Sequence, residues 1–255
     1  MKKLLLLLIL IVFSVNAHAF SINIDPPSLY TKAKPGETIR TKVTVENTSN
    51  DPVVLKIYLE DWAYLNDLSK KFMKLGTTPY SLKNNAKVYV NEIRLAGNAK
   101  ENVLFEITSP TDKKGGLYGV LFFEAAPVMV NKGSNVRLIG RIGSIIYHEI
   151  DGTQDYNFDL VFTDFEKEQS RTKLNFSLNN KSNIHLNLKG SLLILNKKHQ
   201  VEDRIETTLK ALPKENQNIT IYTNKKLTAG EKVCLFSLSY ESSKFFTKEI
   251  NLQIK

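Results

Sequence analysis

Apolar and polar residues alternate one by one along most of this chain, in short runs closed off by turn residues. A side-chain period of two puts successive residues on opposite faces, so such runs fold as half-buried strands and not as helices. Residues 38–46 (TIRTKVTVE) set Ile39, Val43 and Val45 among polar neighbours. Residues 21–32 read as a first strand, and 53–59, 103–107 and 117–123 as further short ones. Residues 136–147 read as a long strand in which Gly140 and Gly143 mark bends or close backbone approach. Clusters such as Lys34-Pro35-Gly36-Glu37 and the run 47–52 (NTSNDP) supply the turns. In the second half, 156–162, 172–178, 184–195, 218–222, 232–239 and 245–254 continue the style. Residues 201–212 fit two periods. Ile205, Leu209 and Leu212 stand at helical spacing, while Ile205, Leu209 and Ala211 share a strand face; the neighbouring strands decide for a strand. The chain reads as all-β.

The strands form two sets. Asn47-Thr48-Ser49-Asn50 after one strand is echoed by Asn180-Lys181-Ser182-Asn183 after another, and the segment 115–122 is loosely matched by 229–236. An immunoglobulin-like β-sandwich takes about 100 residues. Two of them in tandem account for the chain, over 20–150 and 151–255, with Asp151-Gly152 as the junction. Ahead of them, residues 1–19 read as a secretory signal peptide. Lys2 and Lys3 precede an apolar run, and Ala17-His18-Ala19 is a small-x-small cleavage site that would leave Phe20 first. No second long apolar run follows, so no stable membrane insertion is expected after cleavage. The expected location is the periplasm, or the cell surface and beyond.

Composition removes several function classes. A single cysteine, Cys234, precludes an internal disulfide and a multi-cysteine metal cluster; within the run Val233-Cys234-Leu235-Phe236 it reads as a buried thiol. The net charge of +9 is spread along the chain, mostly as lysine, without an arginine–aromatic stripe, which argues against nucleic acid. His148, His185 and His199 lack companions at metal-ligand spacing, so no metal or other cofactor is expected. No Gly-x-Ser-x-Gly elbow and no phosphate-binding Gly-Lys-Ser/Thr are present, so the chain is not read as an enzyme. Trp62, the only tryptophan, reads as core closure, with a sugar-binding platform as the alternative.

Three stretches carry a family resemblance. Pro35-Gly36-Glu37 leads into Val43-Thr44-Val45-Glu46-Asn47-Thr48-Ser49, the segment 116–124 runs on to Pro127, and Asn135 and Val136 lead into Arg141-Ile142-Gly143-Ser144-Ile145-Ile146-Tyr147. Together they resemble the first domain of the periplasmic pilus chaperones (PapD-like), which have two immunoglobulin-like domains. The chain is also similar to extracellular parts of Gram-positive surface proteins thought to bind peptidoglycan. The chaperone resemblance implies capture of exported subunits, pilin-like or surface proteins, by strand addition along the seventh strand of the first domain. Val136, Leu138 and Ile142 would be the apolar contacts there. The family anchors its subunit's terminal carboxylate with an Arg in the first strand and a Lys in the seventh. Here residues 21–32 contain no Arg, and Gly143 and Ser144 stand near the Lys position. Arg137, Arg141 and Lys32 are the basic residues left to replace them. The alternative function is an envelope structural or adhesion module that recognises peptidoglycan or another surface polymer.

Overall fold

A computed structural model describes residues 21–65, 67–125, 128–129, 137–138, 140–240 and 244–255, with backbone only at 128, 129, 137 and 138. The expected signal peptide, its cleavage point and Val136 lie outside the described residues. Among those residues the regular structure is all strand, and no helix is long and apolar enough to cross a membrane.

Two immunoglobulin-like β-sandwiches stand in tandem. In the first, one sheet runs β1 (Ile22–Asp25), β3 (Thr38–Asn47), β8 (Lys100–Thr108), β6 (Ala86–Val88). The facing sheet runs β2 (Ser28–Ala33), β12 (Arg141–Ile150), β9 (Gly116–Ala125), β4 (Val53–Tyr64), β5 (Lys70–Lys74), with β7 (Glu92–Leu95) also on β4. A separate ribbon pairs β10 (Val128–Met129) with β11 (Arg137–Leu138). The second sandwich sets β13 (Phe158–Lys167), β14 (Thr172–Asn180) and β17 (Asn216–Tyr222) against a sheet of four. That sheet runs β16 (Val201–Ala211), β15 (Leu186–Asn196), β18 (Gly230–Tyr240), β19 (Lys244–Ile254). Each sandwich encloses its own core, around Val43, Phe105, Leu121 and Phe123 in the first and Leu174, Phe176, Leu192 and Phe236 in the second.

Alternation placed most strands, and the departures have local causes. The single first strand is two, β1 and β2, in different sheets. Pro26 and Pro27 offer no N–H to a ladder, so the chain changes sheets there. The expected long strand over 136–147 is not continuous: β11 and β12 are separate, and β12 runs on to Ile150 because His148 and Ile150 are buried. β4 extends past Leu59 to Tyr64, since Asp61, polar in type, is fully buried. It accepts hydrogen bonds from the Ser81 hydroxyl (2.6 Å) and the Thr78 N–H (2.8 Å). Residues 201–211 are a strand with Leu209 and Ala211 inward.

The Asn-x-Ser-Asn echo is a structural repeat. Asn47 and Asn180 are both fully buried at the last position of β3 and β14. The Asn47 amide donates to the carbonyls of Asp51 (2.8 Å) and Ala96 (3.0 Å), and its side-chain oxygen accepts from the Ser49 N–H (3.1 Å). Asn180 does the same with Ile184 (2.9 Å), Ala211 (3.0 Å) and the Ser182 N–H (2.9 Å). One side chain thus satisfies backbone groups that a sharp corner leaves unpaired.

Candidate functional site: an open strand edge and a cleft

β9 flanks β12 over the register Arg141 to Glu149, whereas β2 covers its other side only from Ile145 to Ile150. The Ala125 N–H donates to the Gly140 carbonyl (2.9 Å) and the Ile145 N–H to the Pro27 carbonyl (3.1 Å). Antiparallel ladders alternate, so even-numbered residues of β12 turn their backbone groups to β9 and odd-numbered ones turn them away. Arg141 and Gly143 therefore aim N–H and C=O at an edge on which no strand is paired among the described residues. The change of sheets at Pro26-Pro27 is what leaves this edge open.

The outer face of the same sheet is aromatic. Trp62, Tyr64, Tyr118, Phe122 and Tyr147 form a third buried cluster with Val120, Ile145 and, from the second sandwich, Leu212. His185, also from the second sandwich, is buried against it, 4.8 Å between ring centres from Tyr147. Its Nε2 lies 3.1 Å from the Tyr64 hydroxyl, and its backbone N–H donates to the Tyr118 hydroxyl (2.6 Å). Burial holds His185 neutral, with its pKa lowered to about 3, and Lys210 and Lys70 add to the shift. Burial also pushes the Tyr64 phenol up to about 12 and the Tyr118 and Tyr147 phenols well above their usual range. Tyr80 donates to Glu215 (2.9 Å) and Tyr240 to Glu149, each across the two sandwiches. Trp62 is 1% exposed, so it closes this interface and offers no sugar platform.

Beside the cluster lies a cleft of about 310 Å³ between the two sandwiches. Tyr30, stacked on Tyr147 at 4.7 Å, lines one side, and Lys189 and Ser239 line the other.

The residues expected to bind a partner are not gathered in that cleft. Arg141 opens β12 at the uncovered edge, its guanidinium 4.2 Å from the centre of Phe122 and 3.2 Å from the Glu60 carboxylate. Ile142 follows it, half-buried against the core of the first sandwich. Lys32 sits further along, opposite Glu149 on β2, and pairs with Asp151 at 3.2 Å. Arg137 and Leu138 form β11, with their side chains outside the description. Tyr30, Tyr147, Lys189 and Ser239 escaped the sequence reading; Tyr30 stacks on Tyr147 within the first sandwich and Lys189 pairs with Ser239 within the second, and docking of the two brings the pairs to one cleft.

One trio has the outline of a catalytic relay. His148 Nε2 is 2.8 Å from the Ser109 hydroxyl, and Nδ1 is 2.9 Å from the Thr31 hydroxyl. Ser109 and His148 are wholly buried, no carboxylate orients the ring, and burial lowers the His148 pKa to about 4. The trio pins β2, the end of β8 and β12 together. Cys234 is likewise inert, a buried thiol pushed up to about 12. Among the described residues no three His, Cys, Asp or Glu side chains are grouped to hold a metal.

No protein-family model matches the sequence, and no curated protein matches it. Solved structures do match in fold. A chaperone–tip adhesin complex of CFA/I fimbriae biogenesis aligns at a TM-score of 0.54 with 12% identity, over 90% of this chain and 98% of the other. The class 5 fimbriae chaperone CfaA aligns at 0.51 with 15% identity, over 90% and 99%. The YadV chaperone aligns at 0.51 with 11% identity, over 91% and 99%. The PapD-like resemblance seen in the sequence therefore extends to the fold of both sandwiches.

Proposed function

We propose that this chain is an exported, non-enzymatic chaperone of the fimbrial type, working in the periplasm, which captures pilin-like or surface-protein subunits by strand addition. The observation that carries the reading is the open edge of β12. Arg141 and Gly143 present unpaired backbone groups beside an apolar strand, and an extended segment of a partner would complete the sheet there. Arg141, the basic candidate whose described side chain stands at this edge, is held by Phe122 and Glu60 and would meet the incoming segment. Val136, Arg137 and Leu138 would extend the same contact, with Ile142 supporting the strand from the core side and Lys32 remote from it. The reading includes loss of residues 1–19 on export, which N-terminal sequencing of the exported protein checks.

Two substitutions at one position test strand addition. Arg141→Ala removes the side chain, and Arg141→Pro also removes the N–H on the open edge while sparing the ladder to β9. Strand addition requires the proline variant to recover at least tenfold less envelope partner in a pull-down than the alanine variant, with both melting alike. Equal recovery by the two refutes it.

A further inference from the structure

Along the inner face of β12 the apolar row Ile142, Ile146 and Ile150 is interrupted by Ser144 and His148, both wholly buried. A buried polar side chain needs a partner, and both find theirs in the segment that forms β2. His148 Nδ1 lies 2.9 Å from the hydroxyl of Thr31, in the middle of β2. Ser144 donates to the Pro26 carbonyl (2.7 Å), just ahead of β2. The next carbonyl, that of Pro27, takes the Ile145 N–H (3.1 Å). The strand is thus fastened at its entry and again at its middle.

That entry is also where the open edge ends. Ile145 stands opposite Ser28 in the parallel register. Continued back by two residues, the register would set Gly143 opposite Pro26 and aim its carbonyl at the nitrogen of Pro27. A proline nitrogen carries no hydrogen. The Gly143 carbonyl is therefore the last free acceptor on this side of β12, and beyond it the neighbouring lane is filled by β2. A strand added at Arg141 and Gly143 enters the same lane, about 4.8 Å from β12, and runs end-on into the crossover. Ladder bonds alone do not fix where such a strand sits. A slip of one residue exchanges its faces, but a slip of two restores both the faces and the bonding pattern. A barrier that does not move selects one register.

We propose that Ser144 is a positioning residue for strand addition: by fastening Pro26 it turns the Pro26-Pro27 crossover into a fixed stop, and the captured segment is one whose extended stretch ends against that stop. Ser144 lies on the inner face and works through Pro26, so it sets the register of the added strand without touching it. This rests on the strand-addition reading and adds to it what determines the register.

Photocrosslinking of the full chain in its own envelope reads the stop. The probe is p-benzoylphenylalanine in place of Arg141, and mass spectrometry of the adduct locates the partner residue to which it attaches. With Ser144 present, attachment should fall on a single partner residue. Ser144→Ala frees Pro26 and should spread the attachment over two or more residues spaced by two, with about the same total adduct. Ser144→Thr keeps the hydroxyl and should return the attachment to one residue. A purely structural role would lower the melting and the adduct yield of Ser144→Ala while its attachment stayed at one residue. That result overturns the proposal and leaves strand addition standing. A spread already present with Ser144, or one that persists in Ser144→Thr, overturns it in the same way. No adduct in any of the three proteins overturns strand addition as well.

Discussion

His148 and His185 are buried without a carboxylate, and that makes the fold acid-labile in a calculable way. Burial lowers their pKa values to about 4 and about 3, against about 6.5 in an unfolded chain. A lowered folded value means that the unfolded state takes up the proton first. The contribution to stability is therefore complete above pH 6.5 and drains away as the pH falls towards the folded values. At about 1.4 kcal/mol per unit, each histidine loses roughly 3 kcal/mol of stability between pH 6.5 and pH 4, about 6 kcal/mol for the pair. A domain-sized protein has a net stability of only about 5–15 kcal/mol. Glu215, raised by burial, acts in the opposite direction, and it titrates identically in a variant that lacks the histidines. Urea denaturation of the wild type and of His148→Gln/His185→Gln at pH 7, 6, 5 and 4.5 isolates the effect. The double variant should start less stable at pH 7, because it loses the fit of two rings. Its stability should then fall with pH several kcal/mol less than that of the wild type. Parallel pH profiles for the two proteins would refute the reasoning.

Two further outcomes follow from the packing. Asn180→Ala should cost about 2–4 kcal/mol, since it leaves the buried carbonyls of Ile184 and Ala211 without that donor, and Asn47→Ala should cost less, because the carbonyls of Asp51 and Ala96 that it serves belong to exposed residues; equal losses for the two in denaturant melts would show that burial of the acceptors does not set the cost. Gly115→Ala should cost clearly more than Gly152→Ala. Both glycines have positive φ, but a Cβ on Gly115 would come 2.0 Å from the Asn183 carbonyl oxygen, and one on Gly152 meets open space. The alanine at 152 carries only the left-handed penalty of about 1–2 kcal/mol, and equal melting of the two variants would mean that the sandwiches are not held at Gly115.

Legibility in the sequence followed the range of the interaction. Strand positions are local, and the alternation of 38–46 or 172–178 announced them. The corner asparagines were visible as an echo because both sandwiches repeat the same short motif around the same buried amide. The change of sheets at Pro26-Pro27 had a signal too, two residues in succession without an N–H. The cleft left no such trace. Tyr30, Tyr147 and Lys189 stand more than 40 residues apart pairwise, and no period or spacing links them.

The aromatic cluster decides whether the two sandwiches act as one body. Domains joined by a short linker normally move relative to each other unless a large apolar interface holds them. Here Leu212 is wholly buried and His185 nearly so in the company of Trp62, Tyr118 and Tyr147. The Tyr80–Glu215 and Tyr240–Glu149 bonds cross beside them, and the Gly116 N–H donates to the Asn183 carbonyl (3.0 Å). Opening the angle between the sandwiches would expose these rings and strand a buried histidine. The residues that look most like a ligand platform, Trp62 above all, thus serve to hold the two sandwiches at one angle. A partner captured at the edge of β12 meets a preorganised shape and avoids the ordering cost that a hinged receptor would add.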